Sequence, residues 1–180
     1  MKREWKNELY HHFRKQQSKV TRMIGLIISI IIFNIIAFKT NKRLTENQIF
    51  HIWLFTIAFQ NSFDLFTDFK YHAYWYFSKQ IDWLGLPAHI LLLPPVNMMF
   101  LNWYPFKRPL SKQILYFICW TISILVYESI TLLPQPWGYF HYGWWSIWHS
   151  AIIDPILFLI LLGYYKRVCK AEKKLVCRQK

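Results

Sequence analysis

Charge is scarce in this 180-residue chain: Asp, Glu, Lys and Arg make up 17% of it, with nine acids against 22 bases. A soluble domain carries about 25%. Glycine is rare too, and the five present are isolated from one another. A phosphate-cradling loop, a dinucleotide fingerprint or a GxSxG elbow needs closely spaced glycines, so none of these is present. Nucleotide hydrolysis by this chain alone is therefore not expected. The three cysteines, Cys119, Cys169 and Cys177, form no CxxC and no disulfide framework. Cys119 lies in an apolar run and is expected to pack as a small hydrophobe. The histidines show no HExxH spacing, and one DxxxD, Asp64 and Asp68, is a weak cation signal. No metal site and no cofactor is expected.

Apolar side chains fill the space left by the missing charge. They account for 54% of the residues, and aromatics alone for 20%. The basic excess sits at the two ends. Residues 1–22 hold seven Lys/Arg against Glu4 and Glu8, and residues 166–180 hold seven more against Glu172. The tails thus supply 11 of the net +13 charges. Basic residues flanking hydrophobic runs match attraction to anionic lipid headgroups and do not match nucleic-acid binding.

The expected fold is all-α, a polytopic membrane protein with five membrane helices. Three parts are expected: a basic amphipathic segment over 1–22, a transmembrane helical domain over 23–165 and a basic cytoplasmic tail over 166–180. Trp5, Leu9 and Phe13 recur every four residues among basic side chains, as on an interfacial helix. The membrane segments start with Met23–Phe38, whose 16 residues rise about 24 Å as a helix. The others run from about 49 to 69, 83 to 104, 114 to 133 and 146 to 165. The polar end of the second leaves open whether it fully crosses. The third is expected to be kinked or broken at Pro94-Pro95, because adjacent prolines remove two amide donors.

Lys107, Arg108 and Lys112 mark one loop, whereas residues 134–145 hold no charge. The positive-inside rule then places the C-terminus and the 105–112 loop in the cytoplasm of a cell-membrane protein. Five crossings put the basic N-terminus outside, and four would instead leave Lys39, Lys42 and Arg43 there. Aromatic clusters at 71–83 and 137–148 suit an interfacial belt, with an aromatic ligand platform as the alternative.

Ionisable groups inside a membrane are expensive, so each needs a partner or a purpose. Thr56, Gln60, Asp64 and Asp68 form one stripe at helical spacing, and Ser146, Ser150 and Asp154 form another. An up-and-down arrangement gathers Asp64, Asp68, Asp82, Glu128, His149 and Asp154 in the outer leaflet. Gln60, Lys70, Asn97, Ser150, Trp145 and Trp148 support that candidate cluster. Interhelical hydrogen bonding, a transport or proton path, and embedded chemistry using Glu128, His149 and one Asp all remain open. The leading expectation is a non-enzymatic accessory, sensory or assembly module. A small ion- or proton-coupled permease is the alternative, and an embedded enzyme the third. Expected partners are the lipid bilayer, anionic lipids at the tails, and a second copy or another membrane protein; nucleic acid is not among them.

Several stretches resemble a family of small multi-pass membrane proteins from bacilli and clostridia. They are Asp64…Asp68-Phe69-Lys70-Tyr71-His72…Tyr76-Phe77…Ile81-Asp82-Trp83, Pro94-Pro95, Tyr127-Glu128 and Gly143-Trp144-Trp145-Ser146-Ile147-Trp148-His149-Ser150. The resemblance covers about residues 49–165, and the basic N-terminal extension is longer than is usual there. It implies the membrane architecture and a Gram-positive plasma membrane, and brings no established activity.

Overall fold

A computed structural model describes residues 23–77, 83–134 and 137–178. The amphipathic pattern of Trp5, Leu9 and Phe13 lies outside them, as do Lys79 and Asp82. Five helices make up most of the described chain: α1 (Met23–Thr40), α2 (Glu46–Asp64), α3 (Leu93–Trp103), α4 (Leu110–Thr131) and α5 (Ile147–Arg178). α1, α4 and α5 are long and apolar enough to cross a membrane. Their outer faces carry exposed isoleucines and other large apolar residues, such as Ile31, Ile122 and Ile152. Rows of this kind on a monomer's outside mark a surface that meets something apolar. Cys119 also lies on the exposed face of α4, so it is not packed inside.

The helices alternate in direction. Asn102, near the end of α3, donates to Thr40 O at 2.8 Å and accepts from Lys42 N at 3.1 Å, holding the α1–α2 turn. The same end holds the start of α2, where Asn47 and Gln48 donate to Glu172 of α5 at 2.7 and 2.5 Å. Lys39, Lys42 and Arg43 therefore share one end with the 105–112 loop and the α5 tail. α2 begins with a capping box: Thr45 Oγ1 accepts from Gln48 N at 3.2 Å, and Gln48 Oε1 accepts from Thr45 N at 3.4 Å. α5 has 32 residues, which rise about 48 Å against a hydrocarbon core of about 30 Å. It is therefore longer than a hydrocarbon core requires.

Two departures from an all-α bundle shape the opposite end. The first is a change of helical pitch. α2 widens into a π-helical stretch at Leu65–Lys70, and a second, Ala88–Leu92, leads into α3. The irregularity expected at Pro94-Pro95 thus falls one turn earlier. Both prolines sit in the first turn of α3, and Leu91 O, four residues before Pro95, accepts from Asn34 Nδ2 at 2.8 Å instead. The second departure is a two-stranded antiparallel ladder, β1 (Tyr74–Trp75) with β2 (His141–Tyr142), in register Tyr74↔Tyr142 and Trp75↔His141. It joins the α2–α3 and α4–α5 connections into one cap.

The aromatic belt expected of these connections is only half realised. Trp83, Trp137, Trp144 and Trp148 are exposed, but Tyr74, Phe77, Tyr139, Phe140 and Trp145 are buried with Leu26 and Leu92 as the core of the cap. A second core, around Phe100, Met98, Leu101, Ile52, Phe158 and Leu161, fills the basic half of the bundle.

Gly143 fastens the cap. Its amide and that of Trp145 both donate to Ala73 O, at 2.8 and 3.0 Å. A β-carbon there would strike the His72 carbonyl and meet Ala73 O and the Trp75 ring at 3.0 Å. His72 is itself held at φ 49°, so its backbone has little room to yield. Gly143→Ala is expected to cost about 1–3 kcal/mol, as overpacking does. Thermal unfolding in detergent, followed by tryptophan fluorescence, reads the loss; an unshifted midpoint would show that the ladder is dispensable.

Candidate functional site

Polar residues converge beneath the cap. The second half of α2, the start of α3, the end of α4 and the start of α5 enclose a partly open cavity of about 210 Å³. Its wall is largely aromatic and aliphatic, with Phe55, Phe59, Tyr76, Phe140 and Leu157 among the lining residues. Set into that wall are Thr56, Gln60, Asn97, Glu128, Ser150 and Asp154. An engineered apolar cavity of about 150 Å³ holds a benzene molecule, so this one has room for a small ligand.

Glu128 organises the polar side. Its Oε1 accepts from the Tyr142 hydroxyl at 2.8 Å and from the Ser150 hydroxyl at 2.7 Å. Ser150 in turn accepts from the indole nitrogen of the buried Trp145 at 2.9 Å. One carboxylate oxygen thus ties α4 to β2, to α5 and, through the indole, to the cap core. Partial burial and the bond to Glu128 hold the Tyr142 phenol above its usual range, so it stays a donor. The backbone carbonyl of Glu128 accepts from Thr131 Oγ1 at 2.7 Å, while Thr131 O receives Tyr139 N and Phe140 N at 3.0 and 3.2 Å. Tyr127 and Tyr139 share a hydroxyl contact of 2.5 Å beside them.

On the other wall, Asn97 Nδ2 donates to Thr56 Oγ1 at 2.9 Å, joining α3 to α2. Asp154 faces the cavity one turn below Ser150 and, among the described residues, accepts no hydrogen bond. Among the described residues, Glu128 is the charged group that acts on it. An acid in a largely apolar wall is costly unless it is protonated or finds a cation or a donor.

The other sequence candidates fall elsewhere. Asp68 is buried but lies outside the cavity wall. It lies within the π-helical stretch, whose wider pitch rotates the face, so the stripe from Thr56 and Gln60 does not extend to it. Asp64 closes α2, and its side chain is outside what the structure describes. Lys70 is exposed, 5.0 Å over the Tyr71 ring. His149 is also exposed, with its ring 5.2 Å from Trp145, and its Nδ1 accepts from Ser146 N at 3.1 Å. It serves the start of α5 and does not join Glu128 and Asp154. Trp148 is 76% exposed. Tyr142, Tyr127 and Tyr139 were missed, since nothing in their spacing sets them apart from neighbouring aromatics. Among the described residues, no three His, Cys, Asp or Glu side chains are grouped as metal ligands would be.

Fold and site together define a mostly helical protein, with three helices suited to a membrane and an acid-lined cavity under an aromatic cap. No family model, curated protein or solved structure matches the chain.

Proposed function

We propose that this is a non-enzymatic membrane protein, an accessory or sensory module. Its cavity binds a small amphipathic molecule with a cationic or donor end. The observation that carries this reading is the presence of two acids, Glu128 and Asp154, in the wall of a largely aromatic and aliphatic cavity. Such a site suits an apolar body with one amine, whose charge answers the acids while the rings take up the rest. The five alternating helices are read as five crossings. The end with Arg43, Lys107 and the α5 tail is read as cytoplasmic, since 12 of the chain's 22 bases are described there. The cap then faces outward, where a sensory module meets its ligand. A Gram-positive plasma membrane is proposed on the resemblance in the 64–83 and 143–150 stretches.

A coupled permease is the runner-up, and it needs a route past Phe100, Met98 and Leu101, which fill the bundle beyond the cavity. Purified protein titrated with 2-phenylethylamine is expected to show a saturable rise in unfolding temperature. The matched alcohol, 2-phenylethanol, should bind about tenfold more weakly, the worth of one charge-assisted contact. Asp154→Asn should remove most of that preference. Equal binding of the amine, the alcohol and phenylacetate would refute an acid-selected site, and pH-driven flux in proteoliposomes would favour the permease.

A further inference from the structure

The basic end of the bundle carries a second recess, separate from the cavity under the cap. It has a volume of about 590 Å³ and lies between the α1–α2 turn, the 105–108 turn and the last turns of α5. Five cations line it: Arg43, Lys107, Lys166, Lys170 and Lys173. They come from three separate parts of the chain, and no acidic side chain joins them in the lining. The nearby Glu172 is engaged with Asn47, Gln48 and Thr45.

Arg43 is fixed in advance of any ligand. Its guanidinium donates to Tyr104 O at 2.6 Å and to Leu101 O at 3.4 Å, and its carbon lies 5.0 Å over the Phe106 ring. Lys166, Lys170 and Lys173 follow at i, i+4 and i+7, one face of α5. The floor is apolar: Phe106 and Tyr165 meet with ring centroids 5.5 Å apart. Five like charges brought together favour an anion among them. The recess also lies where the apolar part of α5 gives way to its basic turns, as a helix end at a membrane surface would.

We propose that this recess is a binding site for a phosphate-bearing anion, with Arg43 as the fixed anchor and the α5 lysines closing over the phosphate. The apolar floor beside the charges favours an anionic lipid, with the phosphate among the cations and the glycerol and first acyl carbons on Phe106 and Tyr165. This goes beyond diffuse attraction of a basic tail, because it depends on particular lysines and not on total charge.

The test uses the full chain in neutral detergent, with unfolding temperature as the readout. It is titrated with dioctanoyl phosphatidic acid, dioctanoyl phosphatidylcholine and inorganic pyrophosphate. Phosphatidic acid is expected to stabilise the protein saturably and to bind about tenfold or more tighter than phosphatidylcholine. A double variant, Lys166→Gln with Lys170→Gln, should lose about tenfold in that affinity. A second, Lys112→Gln with Arg167→Gln, removes the same charge at the same end but outside the recess, and should keep it. All four positions are exposed, so both variants should fold, and their unfolding without ligand checks this. Pyrophosphate matching phosphatidic acid, with the same response to the variants, would keep the phosphate site and assign it to a soluble anion. Equal losses in the two double variants, or phosphatidylcholine binding as well as phosphatidic acid, would overturn the proposal.

Discussion

Phe100→Ala is expected to lower stability by about 3–5 kcal/mol. The ring is fully buried. Its centroid lies 4.7 Å from that of Phe158 on α5, and 5.8–5.9 Å from those of Tyr116, Phe117 and Trp120 on α4. It is therefore the common contact of α3, α4 and α5. Between helices in lipid there is no hydrophobic drive to associate, so close packing and hydrogen bonds must hold them. A cavity here removes packing from three helices at once. Tyr116 also donates to the Phe100 carbonyl at 2.9 Å, and that bond would lose its alignment as the helices part. Unfolding in mixed micelles with increasing sodium dodecyl sulfate measures the cost. A loss under about 1 kcal/mol would mean that the neighbouring rings reseal the space.

The second large effect separates the two roles of Glu128. Glu128→Ala removes the acceptor for Tyr142 and Ser150 together and leaves both hydroxyls without it. Each orphaned buried donor costs about 1–3 kcal/mol, so the cap should loosen and Trp145 fluorescence should shift toward a wetter environment. Glu128→Gln keeps an oxygen at the same place, so both bonds survive and stability should stay within about 1 kcal/mol. It deletes the charge, however, and selection of 2-phenylethylamine over 2-phenylethanol should fall about tenfold. If Glu128→Gln unfolds the protein as far as Glu128→Ala does, the carboxylate is a structural fastener only. A folded variant that still selects the amine would remove Glu128 from the binding site.

The polar convergence was only partly legible in the chain. Gln60, Asn97, Glu128, Ser150 and Asp154 meet because four helices alternate in direction, which periodicity and connection length indicate. Asp68 and His149 were placed with them by the same counting, yet neither reaches the cavity wall. For Asp68 the π-helical turns break the 3.6-residue period. For His149, the nearby Ser146 backbone offers a partner that outweighs its place in the tryptophan-rich stretch. The capping box at Thr45 and Gln48 could have been read directly from its spacing, because both partners lie within one turn.

Local hydropathy by itself determined that the chain is mostly helical, that some helices are apolar enough to cross a membrane, and roughly where they lie, although α3 starts later and α5 ends later than the pattern indicates. Burial in lipid is decided residue by residue along a helix, so a one-dimensional pattern suffices. Tertiary structure alone decided what the scarce polar groups hold. Tyr142 bonds Glu128 across 14 positions, Trp144 reaches Tyr71 O across 73, and Gln48 meets Glu172 across 124. It also decided that Arg43 and Lys107 join the α5 lysines around one recess. Such pairings depend on which faces meet after the helices pack, and no periodicity within a single segment records that.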